Sequence, residues 1–347
     1  VVNATDSFTA QNLTAKTYVR ALVYNGACSA YSNTDSVVVN AASVGGTLNG
    51  STTVCISSNS TTLNLNGNVG SVVRWQSAED LNFTTNVTDI TSTATSYLFS
   101  GLTKTTYYRV IVKNGVCDSA FSSAATITVS DTAVGGTMSP STNVCRTSNS
   151  TLLSVSGNNG VITKWQYATT SSFASPIDIS STLNQNINSY TASGLTVTTY
   201  YRALINNGAC TAYTNTATLT VDSSSVGGTL AGSGAICVGS NSPSMSLSGQ
   251  RGTIIRWESS TASNFSSNVT TINNTTASYV ASGLTATTYF RVLVKNGACD
   301  SAYSTAATVT VNQTSVGGTV SGGGTICRGS SATLTLGSNL EIGRAHV

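Results

Sequence analysis

The sequence predicts an all-β protein, a tandem array of antiparallel β-sandwiches with about 90 residues to each unit. Three observations lead there. The string Val-Gly-Gly-Thr begins at Val44, Val134, Val226 and Val316, at spacings of 90, 92 and 90 residues. Within each period one tryptophan (Trp75, Trp165, Trp257) stands 20 residues after a cysteine (Cys55, Cys145, Cys237). Charged residues make up only 8% of the 347, prolines number three, and Ser, Thr, Asn, Gly, Val and Ala dominate. That composition favours strands joined by polar turns over helix.

The elements of one unit follow in order. Residues 61–66 alternate apolar and polar, as a half-buried strand does. Residues 67–70 form a turn, and 71–77 a second strand with Val73 and Trp75 on one face and Arg74 and Gln76 on the other. After a Ser/Asn/Thr-rich stretch, Ile90 and residues 97–99 mark two short strands. Residues 106–112 place Tyr108, Val110 and Val112 on one face and Tyr107, Arg109 and Ile111 on the other. Asn114-Gly115 is a strong hairpin signal, because a type I′ turn needs positive φ at both central positions. Residues 124–129 close the unit. About seven short strands with turns between them make a sandwich.

Three complete units are expected at 42–131, 132–222 and 223–313, flanked by partial ones at 1–41 and 314–341. In the first partial unit Leu13, Tyr18, Asn25 and Cys28 match Leu102, Tyr107, Asn114 and Cys117. Residues 342–347, IGRAHV, leave the repeat pattern and read as a translated sequencing adapter, so they and Glu341 are set aside. His346, the single histidine, goes with them. Each Gly-Gly pair reads as a flexible junction between units. A phosphate loop is excluded because no Lys-Ser/Thr and no helix follows.

The run from Gly101 through Leu102, Tyr107 and Tyr108 to Arg109 resembles the approach to strand F of fibronectin type III and immunoglobulin-like domains. There a leucine lies six residues before a tyrosine-corner residue, here Leu102 and Tyr108. Leu195 and Tyr201 match, whereas Leu284 leads to Phe290, which has no hydroxyl for the corner bond. Over nearly the whole chain the units also resemble immunoglobulin-like repeats of very large secreted surface proteins of Bacteroidetes, many of them gliding-type adhesins exported by the type IX route. The resemblance implies a bacterial cell-surface location.

Eight cysteines, two per period, point to disulfides and an oxidising compartment. Two pairings fit the arithmetic. Within units the bonds are Cys55–Cys117, Cys145–Cys210 and Cys237–Cys299, leaving Cys28 and Cys327 over. Across junctions they are Cys28–Cys55, Cys117–Cys145, Cys210–Cys237 and Cys299–Cys327. The within-unit set is the expectation. Cys117 follows the Asn-Gly turn, so a junction bond would have to recross the last strand, and disulfide Cα atoms must lie within about 7 Å. A zinc site is not expected, since the chain has no Cys-x-x-Cys and no histidine remains.

No catalytic, cofactor or metal residue is expected. Without a histidine there is no Ser-His-Asp arrangement. Asp and Glu total 12, and only Asp118 and Asp300 recur at matched positions. A net charge of +3 makes no nucleic-acid footprint, and no apolar run approaches the roughly 20 residues that cross a bilayer. The tryptophans belong to the core. The candidate surface residues are Arg74, Lys164 and Arg256 on the tryptophan strand, with Arg109, Arg202 and Arg291 and their neighbours Tyr107, Tyr200 and Tyr289 on the strand beside it. One expectation is a solubilising stripe with Arg–Tyr stacking. The other is a weak, repeated site for polysaccharide or another cell-surface ligand, made useful by avidity. The role expected for the chain is a non-catalytic extracellular stalk or adhesin array. The alternatives are a carbohydrate-binding array, or spacer units of a secreted polysaccharide-degrading enzyme.

Overall fold

The computed structural model describes residues 5–56 and 59–338, so the adapter-like segment 342–347, with Glu341 and His346, lies outside it. Each complete unit is two facing sheets. In the first, a three-stranded sheet runs in the order Ser96–Ser100, Ser60–Asn66, Thr47–Asn49. The second sheet runs Thr52–Cys55, Ala125–Ser130, Thr106–Lys113, Ser71–Ala78, Thr88–Ile90, with Ala120–Phe121 paired to Thr106–Lys113. All pairs are antiparallel except Thr52–Cys55 with Ala125–Ser130, which is parallel. Units two and three repeat this plan, parallel pair included. The result is an immunoglobulin-like sandwich, repeated in tandem.

The tryptophan anchors each core. Trp75, Trp165 and Trp257 are fully buried. Each indole N–H finds a backbone carbonyl, on Ala94 at 2.9 Å, Ile187 at 2.8 Å and Thr276 at 3.0 Å. In the first unit Leu48, Leu63, Val72, Phe99, Tyr108, Val110 and Ile127 pack around it. The Phe99 and Tyr108 rings lie 3.9 Å apart between centroids. Tyr108, Tyr201 and Phe290 fill one core position, all three buried. Since the phenylalanine serves there as well, packing is what that position supplies in all three units.

Two expectations need correction. Strict alternation points Val73 inward with Trp75, but Val73 is exposed and Val72 is buried beside Trp75. The register slips between Ile111 and Val112, so a β-bulge at Val73 shifts the alternation by one. The same slip recurs between Ile162 and Lys164 and between Ile254 and Arg256. The Gly-Gly pairs at 45–46, 135–136 and 227–228 are also not flexible junctions. Gly45 is buried, and a Cβ there would fall on the backbone carbonyl of Phe121; Gly135 and Gly227 meet Tyr213 and Tyr303 in the same way. Gly46 has φ +77°, the left-handed region that favours glycine, and its Cβ would crowd the Asn66 carbonyl. Glycine stands there so that one chain segment can lie flat on two others.

The strands that pattern reading missed are short: Thr47–Asn49, Thr52–Cys55 and Ala120–Phe121. Thr52–Cys55 matters most. Because it runs parallel to the last strand, Cys55 comes to rest opposite Ser130, at the pole where the chain leaves for the next unit. Among the described residues no helix is long and apolar enough to cross a membrane.

Candidate functional site

The cationic face is built by two neighbouring strands, Ser71–Ala78 and Thr106–Lys113, and their counterparts. Register places Arg109 opposite Gln76, Arg202 opposite Gln166 and Arg291 opposite Glu258. Arg109 and Arg202 donate Nε–H to the facing amide oxygens at 2.8 and 2.9 Å. Arg291 reaches the Glu258 carboxylate at 2.8 Å from Nε.

Each of these guanidinium groups lies between two aromatic rings. Arg109 sits 4.1 Å from the Phe83 centroid and 4.0 Å from Phe121. Arg202 has Phe173 at 4.2 Å and Tyr213 at 3.9 Å, and Arg291 has Phe265 at 4.2 Å and Tyr303 at 3.6 Å. In the partial first unit Arg20 lies 3.7 Å from the Tyr31 ring. The expected stacking partners, Tyr107, Tyr200 and Tyr289, are half-buried on the same strand and do not clamp the arginines. Tyr107 and Arg109 are two residues apart, so they stand side by side rather than face to face.

The outer half of the clamp needs unusual backbone. Phe83, Phe173 and Phe265 adopt φ of 56°, 51° and 56°, a conformation rare for a bulky side chain. A tight turn holds each one: the N–H of Phe83, Phe173 and Phe265 bonds the carbonyl three residues earlier, at 3.2, 3.2 and 3.0 Å. In the first unit the Asp80 carboxylate also accepts the N–H groups of Asn82, Thr84 and Thr85. Strain held in place by local bonds lets the phenylalanine fold back over the sheet.

The remaining cations are paired. Arg74 Nε lies 3.0 Å from Asp89, which also accepts the Gln76 amide at 2.7 Å. That amide, followed by Arg74, outweighs desolvation and holds Asp89 below the usual carboxylate range. Lys164 reaches Asp178 at 2.9 Å, and Lys164 with Gln166 lowers that carboxyl likewise. The third unit uses one buried acid instead. Glu258 accepts from Arg256 at 2.7 Å, Arg291 at 2.7 Å and the Tyr303 hydroxyl at 3.3 Å. Burial pushes its carboxyl up, but the two arginines outweigh that and hold it low. Thus every cation named from the sequence is committed within its own unit, and the rings on both sides of Arg109, Arg202 and Arg291 cover their guanidinium faces.

The cysteines pair in a way neither expectation included. The bonds are Cys55–Cys210 and Cys145–Cys299, with Cα separations of 4.8 and 4.7 Å. Each joins the early cysteine of one unit to the late cysteine of the next. Among the described residues Cys28, Cys117, Cys237 and Cys327 are free thiols, so the expected Cys55–Cys117, Cys145–Cys210 and Cys237–Cys299 bonds are corrected. Topology is the reason. Cys55 ends a strand parallel to the last one, at the outgoing pole, whereas Cys117 follows the Asn-Gly hairpin at the incoming pole. Two cysteines at opposite poles of a sandwich cannot bond, but the outgoing pole of one unit touches the incoming hairpin of the next.

Hydrogen bonds reinforce that contact. The Asn207 side chain donates to the Asp131 carbonyl at 3.3 Å, and the Ala209 N–H to Ser130 Oγ at 3.1 Å. Asn296 donates to the Ser223 carbonyl at 2.8 Å, and the Ala298 N–H to Asp222 Oδ2 at 2.8 Å. Asn114 repeats the clasp on Ala41 at 2.9 Å, with the Cys117 thiol 3.3 Å from the same carbonyl. The asparagine therefore serves the turn and the interface together.

Sequence reasoning missed Phe83, Phe173 and Phe265, yet each lies eight residues after its tryptophan. Their partners Phe121, Tyr213 and Tyr303 lie three or four after the late cysteine. Both spacings were available as signals. Among the described residues no three His, Cys, Asp or Glu side chains come together as a metal shell would need.

A family profile described as a domain of unknown function, DUF8696, matches residues 44–131, 134–223 and 226–313. No curated protein matches the chain. Titin domains I67–I69, in an E-to-A variant, share 12% identity at a TM-score of 0.42, over 78% of this chain and 99% of that one. The FN1–FN3 domains of chicken CNTN1 share 12% at 0.28, over 76% and 97%. The N-terminal four Ig domains of Dscam1 isoform 6.9 share 11% at 0.25, over 84% and 79%.

Proposed function

This chain belongs to the DUF8696 domain family, and from that premise we propose that it is a non-catalytic extracellular stalk, a run of sandwiches joined so that successive units hold a fixed relation. The observation that carries the reading is the bond from the outgoing pole of one unit to the hairpin of the next, with an asparagine clasp beside it. Units that merely needed to be strung together would require neither. Disulfides support an oxidising location outside the cytosol. Display on a bacterial surface, and adhesion through a module at the tip, rest on the resemblance to Bacteroidetes surface repeats. Small-angle scattering of the whole chain tests the stalk. An extended particle whose dimensions spread on reduction supports it; identical profiles before and after reduction contradict it.

A second reading is favoured by one recurrence. Arginine edges and half-buried tyrosines share the same sheet face in all three units, Arg109 with Tyr107, Arg202 with Tyr200 and Arg291 with Tyr289. Weak contacts with an acidic polysaccharide at each unit would gain from repetition. Binding of alginate or a similar polyanion by the whole chain, lost on Arg109→Gln, Arg202→Gln and Arg291→Gln together, supports it. No binding by the unaltered chain removes it.

A further inference from the structure

The two crosslinks overlap along the sequence, since Cys145 and Cys210 each lie inside the other bond's loop. Three stretches of backbone therefore begin at one crosslink and end at the other: Cys55 to Cys145, Cys145 to Cys210, and Cys210 to Cys299. From this connectivity we infer a further property, that the array carries tension redundantly. Its ends stay covalently joined when any two of those three stretches are cut, and its extension under load is limited by the shortest. Within-unit bonds would give neither property, because a cut at a junction would part the chain.

The junctions make the inference testable. Asp131 and Thr132, in the first junction, are exposed and belong to the Cys55–Cys145 stretch; Ser223 and Ser224, in the second, belong to the Cys210–Cys299 stretch. With both junctions cut, the ends remain connected through the Cys145–Cys210 stretch alone. No peptide bond then crosses either junction.

Extension gives the magnitude. At roughly 3.4 Å per extended residue, about 65 residues separate the crosslinks along the shortest path, or about 220 Å. Losing either crosslink alone lengthens the shortest route between the chain's ends by only about 25 residues, roughly 85 Å. Losing both adds about 180 residues, roughly 600 Å, so the double loss is about sevenfold the single one. Separate, non-overlapping loops would instead give additive gains. The use of such redundancy in bearing load rests on the stalk reading, whereas the connectivity does not, so the two can fail separately.

The experiment is made on the whole chain with protease recognition sequences inserted after Asp131 and after Ser224. After complete cleavage, a non-reducing gel is expected to show one species of unchanged mass, and a reducing gel three fragments. Three fragments without reductant overturn the inference. Optical-tweezers extension of the uncut chain gives a second readout that does not depend on the inserted sites. Cys210→Ser and Cys299→Ser are expected to lengthen the fully stretched chain by roughly 85 Å each, and the double variant by roughly 600 Å. Additive lengthening would overturn it.

Discussion

Replacing Arg202 with alanine tests whether the aromatic clamp is structural. The guanidinium lies 4.2 Å from Phe173 and 3.9 Å from Tyr213, and donates to Gln166 Oε1 at 2.9 Å. Two partly exposed cation–π contacts contribute about 1–2 kcal/mol together. Gln166 is buried, so losing its donor leaves an unpaired oxygen at a cost of about 1–3 kcal/mol. The loss of about 2–5 kcal/mol corresponds to a roughly 30- to 4,000-fold rise in local opening. Hydrogen exchange followed by mass spectrometry reads each unit separately. Amides of Val161–Ala168 and Thr199–Asn207 are expected to lose that protection, while those of Ser71–Ala78 and Thr253–Ser260 keep theirs. Arg202→Lys keeps the charge but not the plane, and is expected to fall between. Unchanged protection in the alanine variant would refute the reasoning and leave Arg202 free for a surface ligand.

The other predictions differ by unit. Gly135→Ala puts a Cβ onto the Tyr213 carbonyl, and is expected to cost about 2–4 kcal/mol in urea unfolding. Gly157→Ala, at φ +69° in open space, is expected to cost only about 1 kcal/mol; equal losses would refute the packing account. Glu258 is held below its ordinary value, so its contribution is present above the unfolded carboxylate range and is lost as pH falls through the lowered value. Glu258→Gln, which copies Gln76 and Gln166, is expected to flatten that acid dependence in the third unit alone, by hydrogen exchange from pH 5 to 3. Burial pushes the Tyr108 hydroxyl up to about 12. Stability it confers is complete below the unfolded value near 10 and is lost as pH rises toward 12. Tyr108→Phe is expected to remove that alkaline loss from the first unit, and the third unit, with Phe290, already lacks it; an unchanged alkaline slope would refute this.

Much of the fold was legible because its longer strands carry a period-two pattern and its turns a distinctive chemistry. The buried tryptophan and the alternation through Tyr108, Val110 and Val112 follow from local rules. The turn at Asn114, however, is not type I′: the Cys117 N–H bonds the Asn114 carbonyl, Gly115 and Val116 are the central pair, and only Gly115 of Asn114-Gly115 has positive φ. What escaped was non-local. A bulge moved Val73 outward, and nothing in seven residues of apolar and polar letters marks a one-residue slip. The glycine pairs looked flexible because glycine also serves close backbone approach, and only the neighbouring segment decides which. The cysteine pairing failed for the same reason. It depends on Thr52–Cys55 running parallel to Ala125–Ser130, and a four-residue strand has no readable period. The clamp was half legible: its arginines and their face were found, but Phe83, Phe173 and Phe265 come from loops and Phe121, Tyr213 and Tyr303 from strands of two to four residues, so only their fixed spacing, not an alternation, marks them.

The most direct test of the account is the disulfide map of the intact, unreduced chain after thiol blocking and digestion. The account predicts linked peptides Cys55–Cys210 and Cys145–Cys299, with Cys117 and Cys237 blocked as free thiols. A Cys55–Cys117 or Cys117–Cys145 peptide would contradict it.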